Sequence, residues 1–306
     1  MTGSRTRRSL GWVIVGTGGI VLVAAAVWFW LSATRSPTPE EAALGYLHAL
    51  ESGDPDTVAA TGVPASAETL AAFDAATATI EDAEVKAVSE DSDGASVAVD
   101  VAFQLADERR GARLTLTTVD GRWTVDGSGL GALTADTSIG SDIAIGDITA
   151  PVRKPILLLP ATYTVTPAPA ALLAGESTVV MLPGADATTT IEATVRPEAT
   201  AVAQRRLDAH LESCTAPGSE LPDGCGIRIP WGTEFREVSD VRYRIEKPPT
   251  LTLNPTTFTA DGGVLVATVT GTGQDGSPRT TTYRTDSWSL RGDVTFTADG
   301  LVLSAW

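Results

Sequence analysis

The stretch from Thr38 to Gly53, TPEEAALGYLHALESG, carries the clearest structural signal in the chain. Thr38 and Glu41 have the spacing of a capping box, and Pro39 between them suits the first helical position, so a helix is predicted to begin here. Apolar side chains then recur at helical spacing on one face: Ala43, Tyr46, Leu47 and Leu50. Gly53 follows as a stop signal, which predicts an amphipathic helix of about three and a half turns.

Downstream of this helix the sequence predicts two further short helices and then an antiparallel sheet. The two helices are Ala-rich and lie near residues 56–60 and 65–76. Apolar and polar residues then alternate in four segments: residues 84–90, 96–105, 113–119 and 123–126. The Asp-Gly pairs at 93–94 and 120–121 stand where two-residue hairpin turns require positive φ angles.

The phrases PEEAALGYLHALESGDPDTVAA (39–60) and DGRWTVDG (120–127) resemble the nuclear-transport-factor-two-like, or cystatin-like, α+β cone. Actinobacterial membrane-anchored envelope proteins often begin their exported part in this way. The resemblance covers residues 39–130 and implies a concave sheet with a pocket under its helices. Tyr46 and Trp123 are candidates to line that pocket, and the alternative is that both fill the core.

Upstream of the helix, residues 11–31 read GWVIVGTGGIVLVAAAVWFWL, which contains no charge. As a helix these 21 residues span roughly the 30 Å of a bilayer's hydrocarbon layer. Three arginines precede the segment: Arg5, Arg7 and Arg8. This bias predicts a single-pass anchor with a cytoplasmic amino terminus and an extracytoplasmic remainder. A cleaved signal peptide is the alternative, although the bulky residues 28–31 stand where small ones should precede a cut.

The net negative charge of the chain limits the classes of molecule that it is expected to bind. The chain has 22 Lys+Arg and 38 Asp+Glu, a net charge of −16, and 43% hydrophobic residues, which is too apolar for a disordered chain. Four of the basic residues and none of the acidic ones lie in the first 35 positions, so the rest carries a net −20. Such a surface repels phosphate backbones, and nucleic-acid binding is not expected.

The remainder of the chain is predicted to be mostly β. Residues 131–153 are rich in Gly, Thr, Ser and Asp and are interpreted as a linker with one possible edge strand. Three strand candidates follow, at 156–165, 177–182 and 188–195. The phrase LLLPATYTVTP resembles the strand pair of PEGA-type β modules through Pro160, Tyr163 and Val165.

The last third begins with a helix at Pro197, whose Ala203, Leu207, Leu211 and Cys214 share one face. Strands separated by Asp-Gly turns follow it. The predicted fold class is therefore membrane-anchored α+β: one transmembrane helix, a cystatin-like cone, and a β-rich region with a second α+β domain. The predicted division is 1–10 cytoplasmic tail, 11–31 transmembrane helix, 32–38 linker, 39–130 cone, 131–153 linker, 154–197 small β module and 198–306 carboxyl-terminal domain.

Cys214 and Cys225 are the only cysteines of the chain. An oxidising compartment and a short Pro/Gly-rich loop favour a disulfide between them. The alternative is a redox or metal pair with His210 nearby, but redox pairs usually read C-x-x-C and metal sites need more ligands.

The remaining sequence patterns give only weak indications of a catalytic, metal-binding or nucleotide-binding site. His48 and His210 lack the spacing of a catalytic or metal site, and no S-x-x-K or G-x-S-x-G motif occurs. Residues 271–276 satisfy G-x-G-x-x-G but precede a strand, which indicates a hairpin tip. Residues 90–94 resemble half of a calcium loop that lacks its closing carboxylate. The sequence therefore predicts no catalytic residue, no metal site and no cofactor.

Three functional hypotheses follow. The first is a non-catalytic cell-envelope protein, held in the bilayer by residues 11–31, whose exported domains bind a partner protein or a wall polymer. The second is a scaffold subunit of an envelope secretion or conjugation assembly, which rests on architecture alone. The third is an enzyme that uses the cone pocket, for which an Asp–His pair would be needed.

Overall fold

The computed structural model describes residues 37–90, 95–215, 225–227 and 234–306. Within these ranges 55% of the residues lie in strands and helices are few. The helices are α1 (Pro39–Ser52), α2 (Pro55–Ala60), α3 (Ala67–Asp74) and α4 (Pro197–Cys214). The described part of the chain therefore has a β-rich fold.

The predicted class, a membrane-anchored α+β protein with a cone and a second α+β domain, is wrong for this structure. The Ala-rich segments form only two short helices, whereas the Thr- and Ile-containing region between residues 131 and 195 forms nine strands. The predicted membrane span, residues 11–31, lies outside the described residues. In the part of the chain that the structure covers, no helix is long and apolar enough to cross a membrane.

Helix α1 has the termini that its sequence predicts. Thr38 Oγ1 accepts a hydrogen bond from the Glu41 amide at 3.2 Å, and Glu41 Oε2 accepts one from the Thr38 amide at 2.8 Å. Gly53 caps the other end with a φ of 69°, a conformation that glycine adopts without strain. The buried face consists of Ala43, Tyr46, Leu47, Ala49 and Leu50.

The first sheet is an antiparallel meander in the order β1-β2-β3-β4. Its strands are β1 (Glu81–Glu90), β2 (Ser96–Leu105), β3 (Glu108–Val119) and β4 (Arg122–Val125). Asp120 and Gly121 turn β3 into β4 with φ angles of 51° and 76°, as the Asp-Gly signal predicts. The Asp-Gly pair at 93–94 lies outside the described residues.

The predicted linker, residues 131–153, contains three strands, and two of them pair with strands beyond residue 153. The strands of this region are β5 (Gly131–Thr137), β6 (Asp142–Ile145), β7 (Ile148–Pro151), β8 (Pro155–Leu158), β9 (Ala161–Ala168), β10 (Leu173–Ala174), β11 (Ser177–Met181), β12 (Asp186–Ile191) and β13 (Thr194–Val195). They form sheets in the orders β11-β9-β6-β7, β12-β5-β8 and β10-β13. Strand β12 runs parallel to β5, so residues about fifty positions apart are neighbours.

One hydrophobic core extends from Ala43 to Ile191 and joins α1, the meander, strands β5 to β9, and strands β11 and β12. Two fully buried tyrosines lie in it, and each hydroxyl donates to a backbone carbonyl: Tyr46 to Gly129 at 2.8 Å and Tyr163 to Leu159 at 2.7 Å. Burial raises the pKa of Tyr46, and neighbouring Tyr163 adds to the shift. Both phenols therefore stay neutral hydrogen-bond donors.

The carboxyl-terminal part packs α4 against a five-stranded antiparallel sheet with a core of its own. The strands are β14 (Phe235–Lys247), β15 (Thr250–Leu253), β16 (Thr257–Gly273), β17 (Pro278–Thr297) and β18 (Gly300–Ala305). Gln204 ties α4 to β15, because its side chain accepts from the Leu251 amide at 2.8 Å and donates to the Pro249 carbonyl at 3.1 Å. The Ser141 amide donates to the Phe296 carbonyl at 3.1 Å and connects the two parts.

Cys214 and Cys225 form the predicted disulfide. Both cysteines are buried, and Cys214 lies on the same face of α4 as Ala203, Leu207 and Leu211, as the helical spacing predicts. The bridge fixes residue 225 beside the carboxyl-terminal end of α4.

Substitutions of Leu47 and His48 test which face of α1 is buried and which is exposed. Leu47 is fully buried, whereas the His48 side chain is 59% exposed. We expect Leu47→Ala to lower the free energy of unfolding by about 2–5 kcal/mol, because a core cavity is created. His48→Ala should change it by less than about 0.5 kcal/mol. Urea unfolding of the purified full chain measures both, and equal effects would contradict this helix register.

The disulfide predicts a redox-dependent stability. The bridge links residues with a sequence separation of 11, and on the chain-entropy model its loss should cost about 3 kcal/mol. Cys214→Ser and reduction of the wild-type chain should lower the midpoint of urea unfolding by the same amount. Two alkylated cysteines in native, unreduced protein would show that the bridge is not formed.

Candidate functional site

The residues that the sequence selects for possible chemistry do not gather in one site. His48 lies on the surface of α1, where its Nε2 is 3.9 Å from Glu51 Oε2. Tyr46 fills the core, and Trp123 is half-buried against it, so Tyr46 takes the core role that was the alternative to lining a pocket. Trp306 is 71% exposed.

The two motif-like segments lie in different surroundings. Residues 271–276 run from the end of β16 into its turn to β17, where the Gly273 amide donates to the Ser277 carbonyl at 2.8 Å. This is the hairpin tip that the sequence predicts. Of the partial calcium loop, residues 91–94 lie outside the described residues.

His210 lies beside the disulfide, with its Nε2 3.8 Å from Cys214 Sγ. The possible ligand atoms of His210, Cys214 and Cys225 all fall within 4.8 Å of one another. Metal binding by cysteine requires thiolates, and the disulfide ties up both sulfur atoms. In this oxidised state the cluster is a structural bridge with a neighbouring imidazole.

A cavity of about 290 Å³ lies where the amino-terminal helices meet the second group of strands. We call it the α3–β8 cavity. Its walls are mainly aliphatic and come from α3 and from β6, β7 and β8; the lining includes Ala72, Ile143, Ile145, Ile148, Ala150, Ile156, Leu157 and Leu158. Ser66 and Glu68, at the start of α3, contribute polar atoms. The site is thus an apolar hollow with a short polar segment.

The start of α3 is held firmly against β8. Ser66 is the N-cap of the helix, and its Oγ accepts from the Thr69 amide at 3.1 Å. The buried Thr69 hydroxyl then donates to the Leu157 carbonyl at 2.9 Å, which joins the helix to the strand across 88 positions of sequence. These two bonds fix the polar side of the cavity.

The opposite wall depends on the tight β6–β7 hairpin. Gly146 lies in its turn with a φ of 56°, and a Cβ there would lie 2.3 Å from the Cβ of Ala75. Glycine is therefore required both by the backbone conformation and by the approach to the end of α3. The hairpin places Ile143 and Ile145 against α3, and both side chains are almost completely buried.

The connection from β7 to β8 is fixed by an ion pair. Arg153 Nε lies 2.9 Å from Asp136 Oδ2, and the Arg153 amide donates to the Ala135 carbonyl at 2.8 Å. The hydrogen bond from Arg153 lowers the pKa of Asp136, so this carboxylate stays ionised to lower pH than usual. Because both side chains are exposed, the pair orients the loop more than it stabilises the fold.

The volume and the aliphatic walls of the α3–β8 cavity are suited to binding a compact apolar group. Its volume is close to the lower limit of 300–1,000 Å³ that is usual for small-molecule sites, so it can hold a compact apolar group. Leu157, one of the lining residues, is 54% exposed and offers an apolar surface next to the opening. The cavity can thus receive an aliphatic or aromatic side chain whose neighbouring polar atoms meet Ser66 and Glu68.

Sequence reasoning missed this cavity because much of its wall lies in the predicted linker. Ile143, Ile145 and Ile148 alternate only weakly with polar residues, a pattern that predicts no more than a linker with one possible edge strand. The observed strands β6, β7 and β8 have four residues each, which is too short for a clear periodic signal. The signal that was present is the spacing of the isoleucines around the Gly146-Asp147 turn.

No protein-family model, curated protein or solved structure matches this chain. The resemblances to the cystatin-like cone and to the PEGA-type module remain predictions from sequence.

Proposed function

We propose that this chain is a non-catalytic cell-envelope protein that binds a partner protein by taking an apolar side chain of the partner into the α3–β8 cavity. The observation that carries this proposal is the cavity itself, whose walls are aliphatic and whose mouth is flanked by exposed Leu157. Binding energy in protein interfaces is concentrated where an anchor side chain fills such a hollow. Wall polymer, rich in hydroxyl groups, fits these walls less well.

The cavity is supported by elements that do not have to move for a partner to bind. Thr69 joins α3 to β8 by a hydrogen bond, and the Gly146 turn packs against the end of α3 at Ala75. A pre-formed hollow loses little conformational entropy on binding, so a modest contact area suffices for a specific complex.

The membrane location is a second part of the proposal and rests on the sequence. Residues 11–31 carry no charge, and the arginines at positions 5, 7 and 8 favour a cytoplasmic amino terminus. In this arrangement the described domains lie outside the cell membrane, where Cys214 and Cys225 oxidise readily. A partner would then be another envelope protein.

The enzyme hypothesis requires a histidine that faces a buried carboxylate in a pocket. His48 is mostly exposed, and the Glu51 carboxylate beside it accepts a hydrogen bond from the Ala83 amide at 2.8 Å. His210 has the disulfide as a neighbour. Neither histidine lines the α3–β8 cavity, so we develop the binding hypothesis.

Site-specific photo-cross-linking tests the proposed binding site. The cross-linking residue p-benzoylphenylalanine, placed at Leu157 of the full chain in host cells, should give a discrete adduct of higher mass. Val119 has the same exposure of 54% but lies on β3, outside the lining of the cavity, and serves as the matched control. The Leu157 adduct should disappear when Ile148→Trp narrows the cavity. No adduct at Leu157, equal adducts at both positions, or an adduct unaffected by Ile148→Trp would refute the proposal.

Cell fractionation tests the membrane location. The full chain should remain in the membrane fraction after a carbonate wash, and a protease added outside the membrane should digest its carboxyl-terminal part. Deletion of residues 11–31 should release the protein. A soluble form whose amino terminus begins near Thr34 would instead show that the segment is a signal peptide.

A further inference from the structure

A second cavity lies in the carboxyl-terminal part, between α4 and the last strand, β18. Its volume is about 290 Å³. The side chains of Leu207 and Phe258, both 1% exposed, contribute to its lining, and Leu303 and Ala305 contribute from β18. The lining of this α4–β18 cavity is mainly apolar, and His210 and Arg206 are its two polar side chains.

The mouth of the α4–β18 cavity differs from its interior because it carries a cation. Arg206 lines the cavity from α4 and is exposed to solvent. Eight other arginines form ion pairs with carboxylates: Arg109, Arg110, Arg113, Arg153, Arg242, Arg244, Arg279 and Arg284. Among the residues that the structure covers, no carboxylate lies within ion-pair distance of Arg206. Its charge is available to a ligand.

The Arg206 guanidinium lies close to Gly300, the first residue of β18. Gly300 has a φ of 132°, which favours glycine, and a Cβ on it would lie 3.1 Å from Nη2 of Arg206. The side chain of Arg206 therefore reaches from α4 to the start of β18 across the mouth of the cavity.

We infer that the α4–β18 cavity binds a small aliphatic carboxylate, with its carboxylate on Arg206 and its hydrocarbon part between Leu207, Phe258 and Leu303. A guanidinium offers paired donors that match the two oxygens of a carboxylate. The apolar interior favours a hydrocarbon group, and its volume limits that group to a short chain. Because the chain as a whole is acidic, an anion is retained by this local cation and not by the overall field.

The helix provides a control for this assignment. Arg205 precedes Arg206, is also exposed, and does not line the cavity. Substitution of either arginine by Gln removes one charge from the same turn of α4. Only the loss of Arg206 removes a charge from the mouth.

Saturation-transfer NMR tests the inference. It measures the binding of hexanoate to the full chain in lipid nanodiscs, with empty nanodiscs as the reference. Hexanoate should bind saturably, whereas hexylammonium, of the same length and opposite charge, should not. Arg206→Gln should weaken hexanoate binding about tenfold or more, which is the size of one lost charge-assisted contact. Arg205→Gln should leave it unchanged.

A second variant tests the interior of the cavity. Ala305→Phe places a ring in the α4–β18 cavity and should abolish hexanoate binding, while thermal unfolding reports whether the variant stays folded. Absence of saturable hexanoate binding to the wild type, equal binding of hexylammonium, or equal effects of the two arginine substitutions would overturn the inference. Photo-cross-linking from Leu157 should not change in Arg206→Gln, which separates this site from the α3–β8 cavity.

Discussion

The hydrogen bond from the Tyr46 hydroxyl to the Gly129 carbonyl is the constraint on which the larger part of the structure depends. A fully buried phenol without a partner would cost about 1–3 kcal/mol, so α1 packs where this carbonyl can accept the bond. Gly129 must be glycine, because a Cβ would lie 2.7 Å from Val125 Cγ1. The chain therefore leaves β4 directly under α1 and enters β5 within the same core.

The shared core explains why a cavity forms at the junction and not inside the meander. The space under α1 is filled by Tyr46 and its neighbours, whereas α3 is short and meets β8 mainly at one end. Thr69 bonds to Leu157 there, and the Gly146 hairpin closes against Ala75. Between these two contacts the shared core is incompletely filled, which leaves the apolar α3–β8 cavity.

The sequence correctly predicts the parts of the fold that depend on residues close to one another along the chain. Helix α1 has a capping box and a glycine stop within sixteen residues, and the β3–β4 turn has its Asp-Gly pair. The disulfide follows from having only two cysteines. The parallel pairing of β5 with β12 joins distant segments, and nothing local marks it. For the same reason the sequence of residues 131–153 predicts a linker. The α3–β8 cavity is built in part from four-residue strands, so the sequence does not predict it.

Native-state hydrogen exchange on the full chain tests most directly the claim that α1, the meander and the second group of strands, which includes β9, share one core. The amides of β2, in the meander, and of β9, in the second group of strands, are the informative probes, since both strands are buried. If Tyr46 and Gly129 join the meander to the second group of strands, the amides of β2 and of β9 should exchange through one opening. The free energy of that opening and its urea dependence should then be the same for both strands. Openings at clearly different free energies, with β2 protected after β9 has exchanged, would contradict the shared core and the cavity that depends on it.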